Sequence, residues 1–225
     1  ATVSNAEEFG EWLGEVRGET HVILSEHRPI PLYQHILINS SLIDLFSSPG
    51  KVNPEILAAE REAMRKVKIP RHRREQWGES ESRLSRPEII EKLQRENLLP
   101  AITFIFSRMG CDAAVKQCLA AGIKLTNTEE RAEILKTAER YTANLPEEDL
   151  EVLGYREWIT ALERGIAAHH AGLLPSFKNA IEDLFQRGLV KAVFATETLA
   201  LGINMPARTV VLDKLTKWNG EAHVP

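Results

Sequence analysis

Apolar residues follow two different spacings along the chain, and the two spacings alternate. Helical spacing occurs over residues 87–97, 109–121 and 175–186, and short continuous apolar runs occur over 101–106, 166–170, 191–195 and 209–213. An apolar run of this length between helices is typical of a strand that is covered on both faces. We therefore predict an α/β fold, in which a parallel sheet with right-handed crossovers is flanked by helices.

Residues 126–164 interrupt this alternation with a polar, helical stretch. Helix-start signals stand at Thr128-Glu129-Glu130 and at Pro146-Glu147-Glu148, and charged residues are frequent between them. Acidic residues in a first turn, preceded by a capping residue or proline, are typical of a helix start. We predict a helical insertion here, formed by a solvent-facing pair of helices.

The amino-terminal segment gives shorter patterns. Helical spacing over residues 5–16 predicts an amphipathic helix, and the apolar run over 21–25 predicts a strand. The prolines that follow are typical of extended backbone, so residues 21–40 are predicted to form a linker or an edge strand.

Residues 41–85 are predicted to form a charged, partly disordered insertion. Within it, the composition predicts a turn at 47–50 and a helix at 54–66. The basic tract at 71–74, Arg-His-Arg-Arg, is either a solvated loop or a contact for nucleic acid. The sequence leaves both interpretations open.

Composition excludes few functions. The 225 residues are 43% hydrophobic with a formal net charge of -4, and a mildly acidic total can still hide a basic face. The two cysteines, Cys111 and Cys118, lie about 10 Å apart along a predicted helix, which is too far for a disulfide. Since the chain has no CxxC pair and no histidine cluster at ligand spacing, we predict no metal site and a reducing, cytoplasmic setting.

No stretch approaches the roughly 20 apolar residues of a membrane span, so no membrane contact is expected. The chain also lacks an initiator Met and an apolar signal core. We expect it to be part of a longer protein, with Ala1 and Pro225 as cut points.

Polar residues follow three of the predicted strands. Ser107 and Arg108 come after the first, the segment from His169 to Gly172 after the second, and Thr196 with Glu197 after the third. In a doubly wound sheet, ligands bind beyond the carboxyl ends of the strands, where helix starts offer unpaired N–H groups to phosphates. The sequence therefore predicts a phosphate-binding edge.

These residues also have purely structural interpretations. Thr196 suits an ordinary helix cap, and Arg108 suits a surface ion pair. His169 and His170 are neighbours on a strand end, so their side chains should point to opposite faces and cannot chelate one metal together. We expect one ring to pack in the interior with a hydrogen-bond partner, and the other to reach the ligand edge beside the Gly172 N–H.

Two catalytic motifs are absent from the sequence. The chain has no GxSxG nucleophile elbow and no GxxxxGK[ST] phosphate loop. It thus lacks the half of a nucleotide site that grips the β and γ phosphates, and no catalytic residue is predicted within it.

The most specific motif is the stretch ATETLALGINMPARTVV at residues 195–211. It is similar, almost letter for letter, to motif V of the superkiller and exosome-cofactor (Ski-like) family of DExH-box RNA helicases in superfamily two, nearest to the bacterial HelY type. Residues 104–111 resemble motif IV of that family, and residues 169–175 resemble the loop and helix start before its motif V. Residues 1–13 resemble the tail of its motif III.

The resemblance implies that residues 1–20 end a first RecA-like domain and that 86–225 form the second, truncated before motif VI. The residues implied to bind single-stranded nucleic acid are Ser107, Arg108, His170, Gly172 and Thr196. Gly202 and Asn204 would contact ATP when the two domains close, and Glu197 would couple the strand to the nucleotide.

The same resemblance implies a division of labour in the intact protein. ATP and Mg²⁺ would be bound mainly by the first RecA-like domain, which carries the phosphate loop and the DExH acid, and the arginine finger would lie beyond Pro225. This chain alone is therefore expected to be inactive, with its first domain and single-stranded RNA as partners. A DNA helicase domain, or a silent RecA-like module that docks proteins through residues 126–164, remains an alternative.

Overall fold

The structure, a computed structural model, describes residues 6–23, 25, 30–38, 40–66, 84–200, 205–214, 217–218 and 223–224. The chain divides into two compact units, the first formed by Ala1–Leu37 with Leu42–Ala58 and the second by Ile38–Ser41 with Ala59–Pro225. The candidate site lies entirely within the second unit.

The described residues of the amino-terminal region form two helices and four short strands. They are α1 (Ala6–Arg17), β1 (His35–Ile38), β2 (Ser41–Asp44), β3 (Phe46–Ser48), β4 (Lys51–Val52) and α2 (Pro54–Lys66). β1 pairs with β2, and β3 forms an antiparallel hairpin with β4 around the predicted turn. Residues 41–66 are thus built largely from short regular elements, among them the predicted helix at 54–66. The basic tract at 71–74 lies outside the described residues.

The strand predicted at 21–25 is wrong for the residues described there. Residues 21–23 and 25 have no regular secondary structure. Instead, the side chain of Val22 occupies the space beside Gly10 on α1, where any larger residue at position 10 would collide with it. Val22 therefore contacts a helix, whereas Ile23 is exposed.

A four-stranded parallel sheet forms the centre of the second unit. Its strands are β5 (Ala101–Phe104), β6 (Ile166–His169), β7 (Ala192–Ala195) and β8 (Thr209–Leu212), in the order β6-β7-β5-β8. All neighbouring strands are parallel and in level register, which means that their first residues stand opposite one another. Ala101 pairs with both Ala192 and Thr209, and Ile166 pairs with Ala192. The predicted α/β, RecA-like arrangement is confirmed.

Helices cover the two faces of this sheet. They are α3 (Arg86–Arg95), α4 (Arg108–Ala120), α5 (Thr128–Thr142), α6 (Glu147–Val152), α7 (Tyr155–Glu163) and α8 (Pro175–Gln186). Ala192 and Phe194 of β7 pack into the cluster that includes α3 and α4, whereas Val193 and Ala195 pack into the cluster that includes α5 and α8. This alternation is the period of two that a strand imposes on its side chains. Within the described ranges, no helix is long and apolar enough to cross a membrane.

The predicted solvent-facing helix pair at 126–164 needs correction. The segment forms three helices, α5 to α7, and Ile134 and Ala138 of α5 and Leu162 of α7 are fully buried. Residues 134, 137, 138 and 141 lie on one face of α5, and this face packs against α8. Because Glu, Lys and Arg residues alternate with this buried face along α5, the sequence pattern alone predicts a helix exposed to solvent.

Candidate nucleic-acid interface

The level register brings the three predicted loops to one edge of the sheet. β5, β6 and β7 end side by side at Phe104, His169 and Ala195, which are direct neighbours across the sheet. Adjacent strands lie about 4.8 Å apart, so residues that follow these ends are neighbours as well. The site residues predicted after each strand therefore share one edge, as expected for a doubly wound sheet.

Ser107 begins α4 as its N-cap. Its backbone is extended, and its Oγ accepts a hydrogen bond from the Gly110 N–H at 3.2 Å. A serine hydroxyl that accepts in this way still has its own hydrogen to donate. Ser107 is exposed, so that hydrogen can be offered to a phosphate oxygen beside the positive end of the helix.

Arg108 occupies the first position of α4 and is exposed. Its Cδ lies 3.6 Å from the point where a Cβ on Gly172 would stand. The loop after β5 and the loop after β6 thus come close together at this arginine. Its guanidinium is the planar, charged donor group that binds phosphodiesters well.

A hydrogen bond joins the Gly172 N–H to the His170 ring. The His170 ring is buried, its Nδ1 lies 3.1 Å from the Gly172 N, and its Nε2 lies 3.0 Å from Oδ1 of Asp112 on α4. Both ring nitrogens and the Gly172 N–H are therefore used inside the protein. In this arrangement they hold the loop, and the contact of His170 and Gly172 with nucleic acid stays a prediction.

His169 points to the other face of the sheet, as predicted. Its Nε2 lies 2.7 Å from Oε1 of Glu182 on α8, and its buried Nδ1 has no partner among the described residues. The two neighbouring histidines thus bond to carboxylates on different helices, so their nitrogens do not converge on one point.

Thr196 and Glu197 follow β7 as predicted, with Glu197 opening a short 3₁₀ helix, Glu197–Ala200. The Thr196 N–H donates to the His169 carbonyl at 3.3 Å, and its carbonyl accepts from the Leu199 N–H at 3.1 Å. Thr196 is buried, with a relative exposure of 7%. The remaining predicted site residues, Gly202 and Asn204, lie outside the described residues.

Three charged residues at this edge were missed by the sequence analysis. Asp112 binds His170, and Nη2 of Arg86 lies 3.4 Å from Oδ2 of Asp213, the residue after β8. Burial, together with the negative charge of Asp112, raises the pKa of the Cys111 thiol to about 12, and the positive charge of Arg86 opposes the rise. The order of residues along β8 could have identified Asp213, but nothing local marks Asp112, whose partner is 58 positions away.

No protein-family model matches the chain. Its whole length is 54% identical, over 239 residues, to 26% of a protein named Probable helicase HelY from Mycobacterium leprae. It is also 37% identical to 21% of the chloroplastic DExH-box ATP-dependent RNA helicase DExH15 of Arabidopsis thaliana. In addition, 98% of the chain is 35% identical to 19% of human Superkiller complex protein 2.

The chain thus spans about a quarter of the HelY relative and less of the other two. The alignment with these relatives runs through the motif V stretch and all three loops of the sheet edge, since it covers the chain end to end. The sequence therefore belongs to the Ski-like family of DExH-box helicases in superfamily two, as a stretch that corresponds to part of a HelY-type member.

Proposed function

We propose that this chain is the second RecA-like domain of an ATP-dependent helicase and binds single-stranded nucleic acid along the carboxyl edge of its sheet. Residues 86–225 form that domain, and residues 1–20 are the tail of a first RecA-like domain that precedes it. The two domains together form the site for ATP and Mg²⁺, and the intact protein couples ATP hydrolysis to unwinding.

The close approach of Arg108 to Gly172 is the observation that carries the proposal. It brings two adjacent loops together, and Arg108 directly follows Ser107, the N-cap of α4. These groups suit the phosphates of a strand that runs across the edge. Contacts to phosphate and sugar carry no base information, so such an edge binds strands of any sequence, as a translocating enzyme requires.

RNA is the proposed substrate of the intact protein. The Arabidopsis relative is named as an RNA helicase, which supports this choice. DNA remains the rival, because phosphate contacts do not discriminate between the two sugars and only contacts to the 2′-OH would.

The nucleotide contacts are proposed from the resemblance to motif V alone. Gly202 and Asn204 would contact ATP from this side, and Glu197, which opens the 3₁₀ helix directly after Thr196, would link the strand site to them. When bound, ATP supplies the phosphoryl transfer that drives the cycle, while the residues described above bind and orient the strand.

The direct test is a titration of fluorescent single-stranded RNA and DNA of equal length into the chain at several salt concentrations. We expect salt-dependent binding that is weaker in Arg108→Ala, with the slope of log K against log salt reduced by about 0.7 if one phosphate contact is lost. Arg95→Ala is the matched control. Arg95 is also exposed, but it is the last residue of α3, which leads into the amino end of β5.

Equal effects of the two arginine substitutions would contradict the assignment of this edge. No binding at low salt by the folded chain would argue against a strand-binding domain, and in favour of the protein-docking module. Tighter binding of RNA than of DNA is expected, whereas tighter binding of DNA would reverse the choice of substrate.

A further inference from the structure

Asp112 occupies an unusual position for an acidic residue. It lies on the second turn of α4, one turn after Arg108, beside an edge that is proposed to bind a polyanion. Its side chain is half exposed, at 50%, so a carboxylate here repels phosphate. The position therefore needs a reason other than surface charge.

The hydrogen bonds of His170 provide that reason. The Gly172 N–H can only donate, so the His170 Nδ1 that receives it must carry no hydrogen. In the neutral ring the hydrogen is then on Nε2, which donates to Oδ1 of Asp112 at 3.0 Å. Asp112 thus stabilises the single tautomer of His170 that can accept from Gly172.

This relay sets the shape of the loop after β6. The His170 carbonyl also accepts from the Leu173 N–H at 3.1 Å. Residues 170–173 thus form a turn that is closed by one backbone hydrogen bond and by the bond from Gly172 to the His170 ring. A Cβ at position 172 would stand 3.1 Å from His170 Nδ1 and 3.6 Å from Arg108 Cδ. A side chain at position 172 would thus be crowded by the His170 ring, and the bare backbone of glycine avoids this.

We propose that Asp112 is a positioning residue for the strand-binding edge, acting through His170 to hold Gly172 against Arg108. The inference rests on the proposed binding of nucleic acid at this edge. It assigns Asp112 no contact with the strand, and it makes the carboxylate favourable for binding despite its charge.

A purely electrostatic role and a positioning role of Asp112 predict opposite effects of Asp112→Ala on binding. Removing a carboxylate near bound phosphate strengthens binding if only charge matters, whereas losing the acceptor for His170 loosens the loop and weakens binding. Asp112→Asn separates the two effects, because the amide oxygen can still accept from Nε2–H while the charge is gone. Asp149→Ala is the control for charge removal, since Asp149 is exposed on α6, away from the relay.

The experiment measures RNA affinity, thermal unfolding and the histidine ring ¹⁵N spectrum for the chain and these three variants. For Asp112→Ala we expect affinity to fall about fivefold, the size of one lost hydrogen bond, together with loss of the Nε2–H signature of His170. Asp112→Asn should keep that signature and bind within about twofold of the unsubstituted chain, as should Asp149→Ala.

Three results would overturn the inference. They are equal or tighter binding by Asp112→Ala, weak binding by Asp112→Asn despite a retained Nε2–H signature, or an unchanged ring spectrum in Asp112→Ala. If Asp112→Ala unfolds, Asp112→Asn alone decides between charge and acceptor. Failure of the unsubstituted chain to bind RNA at low salt is a separate result, which rejects the proposed function and this inference with it.

Discussion

At the residue scale, Ser107 combines a folding role with a proposed binding role, and substitutions can separate the two. Its Oγ caps α4 by accepting from the Gly110 N–H. We predict that Ser107→Ala lowers the free energy of unfolding by about 1 kcal/mol, because alanine offers no cap acceptor. Ser107→Asp should retain most of the stability, since aspartate is also a good N-cap, yet it should weaken RNA binding by placing a negative charge at the edge.

Chemical denaturation and RNA titration of both variants check this prediction. Parallel losses of stability and affinity in the two variants would mean that Ser107 acts only through the fold. Unweakened binding by Ser107→Asp would place the strand elsewhere.

The sequence identified the residues of this edge better than their roles. Ser107, Arg108 and Thr196 could be predicted because each follows an apolar run, and the carboxyl ends of parallel strands must meet. The partnership of His170 with Gly172 and Asp112 could not be predicted, since it depends on how α4 packs beside β6. Hydrogen bonds between distant parts of the chain have no local signature.

At the element scale, α5 belongs to the core and does not merely decorate the surface. Ile134 has no exposed surface and packs with residues of α8. We predict that Ile134→Ala lowers the free energy of unfolding by about 2–5 kcal/mol, the range for a buried large-to-small change. Lys136→Ala, at an exposed position of the same helix, should change it by less than about 0.5 kcal/mol.

Denaturant titration of the two variants measures this difference. Similar small effects would show that α5 is a peripheral insertion after all, as the sequence pattern suggested.

A second element-scale prediction concerns the start of α5. Glu130 caps the helix by accepting from the Asn127 N–H at 2.9 Å, and it receives Lys191 Nζ at 2.7 Å from the segment before β7. Burial raises the pKa of Glu130, but the bonds from Lys191 and from Asn127 together outweigh it and lower the pKa below the ordinary 4.5. The carboxylate thus connects α5 to the sheet.

A lowered pKa in the folded state stabilises the protein above the ordinary pKa, and this contribution is lost as the pH falls through the folded value. We predict that Glu130→Gln is less stable than the unsubstituted chain at pH 7, and that the difference shrinks as the pH falls below 4.5. Thermal unfolding between pH 3 and pH 7 measures it, with Glu139→Gln, exposed on the same helix, as the control. A difference that is constant with pH would show that the ionised form gives no advantage.

Element bounds followed the strength of the apolar pattern. The helix predicted at 175–186 is observed with those bounds, because Pro175 starts it and the spacing is regular. The strand predicted at 21–25 was not observed in the residues described there, where Val22 lies beside α1 and Ile23 is exposed. The spacing of apolar residues indicates which side chains are buried, but it does not identify the element that covers them.

At the scale of the whole molecule, the chain should bind a strand without turning over ATP. Its 225 residues contain no GxxxxGK[ST] sequence, so no segment is equipped to grip the β and γ phosphates. We predict that phosphate release from ATP stays at the buffer background, with or without RNA. A rate of phosphate release that rises in proportion to the protein concentration, and that persists after repeated purification, would contradict the proposed division of the ATP site between two domains.

The fold class at this scale was predictable from alternation alone, and the family from one motif. The division of the chain into two units was not, because its boundaries at residues 37–42 and 58 fall in or between β1, β2 and α2, and not at a linker that the composition would mark. The strands β3 and β4, with three and two residues, are too short for a pattern to develop.

The level register of β5 to β8 has an evolutionary consequence. Backbone hydrogen bonds fix where each strand ends, so the spacing between neighbouring loops does not depend on the side chains that the loops carry. One loop can then acquire a new residue, or a new ligand preference, while the loops beside it keep their places. A sheet of this kind can diversify one loop at a time, and its descendants can exchange substrates without rebuilding the scaffold.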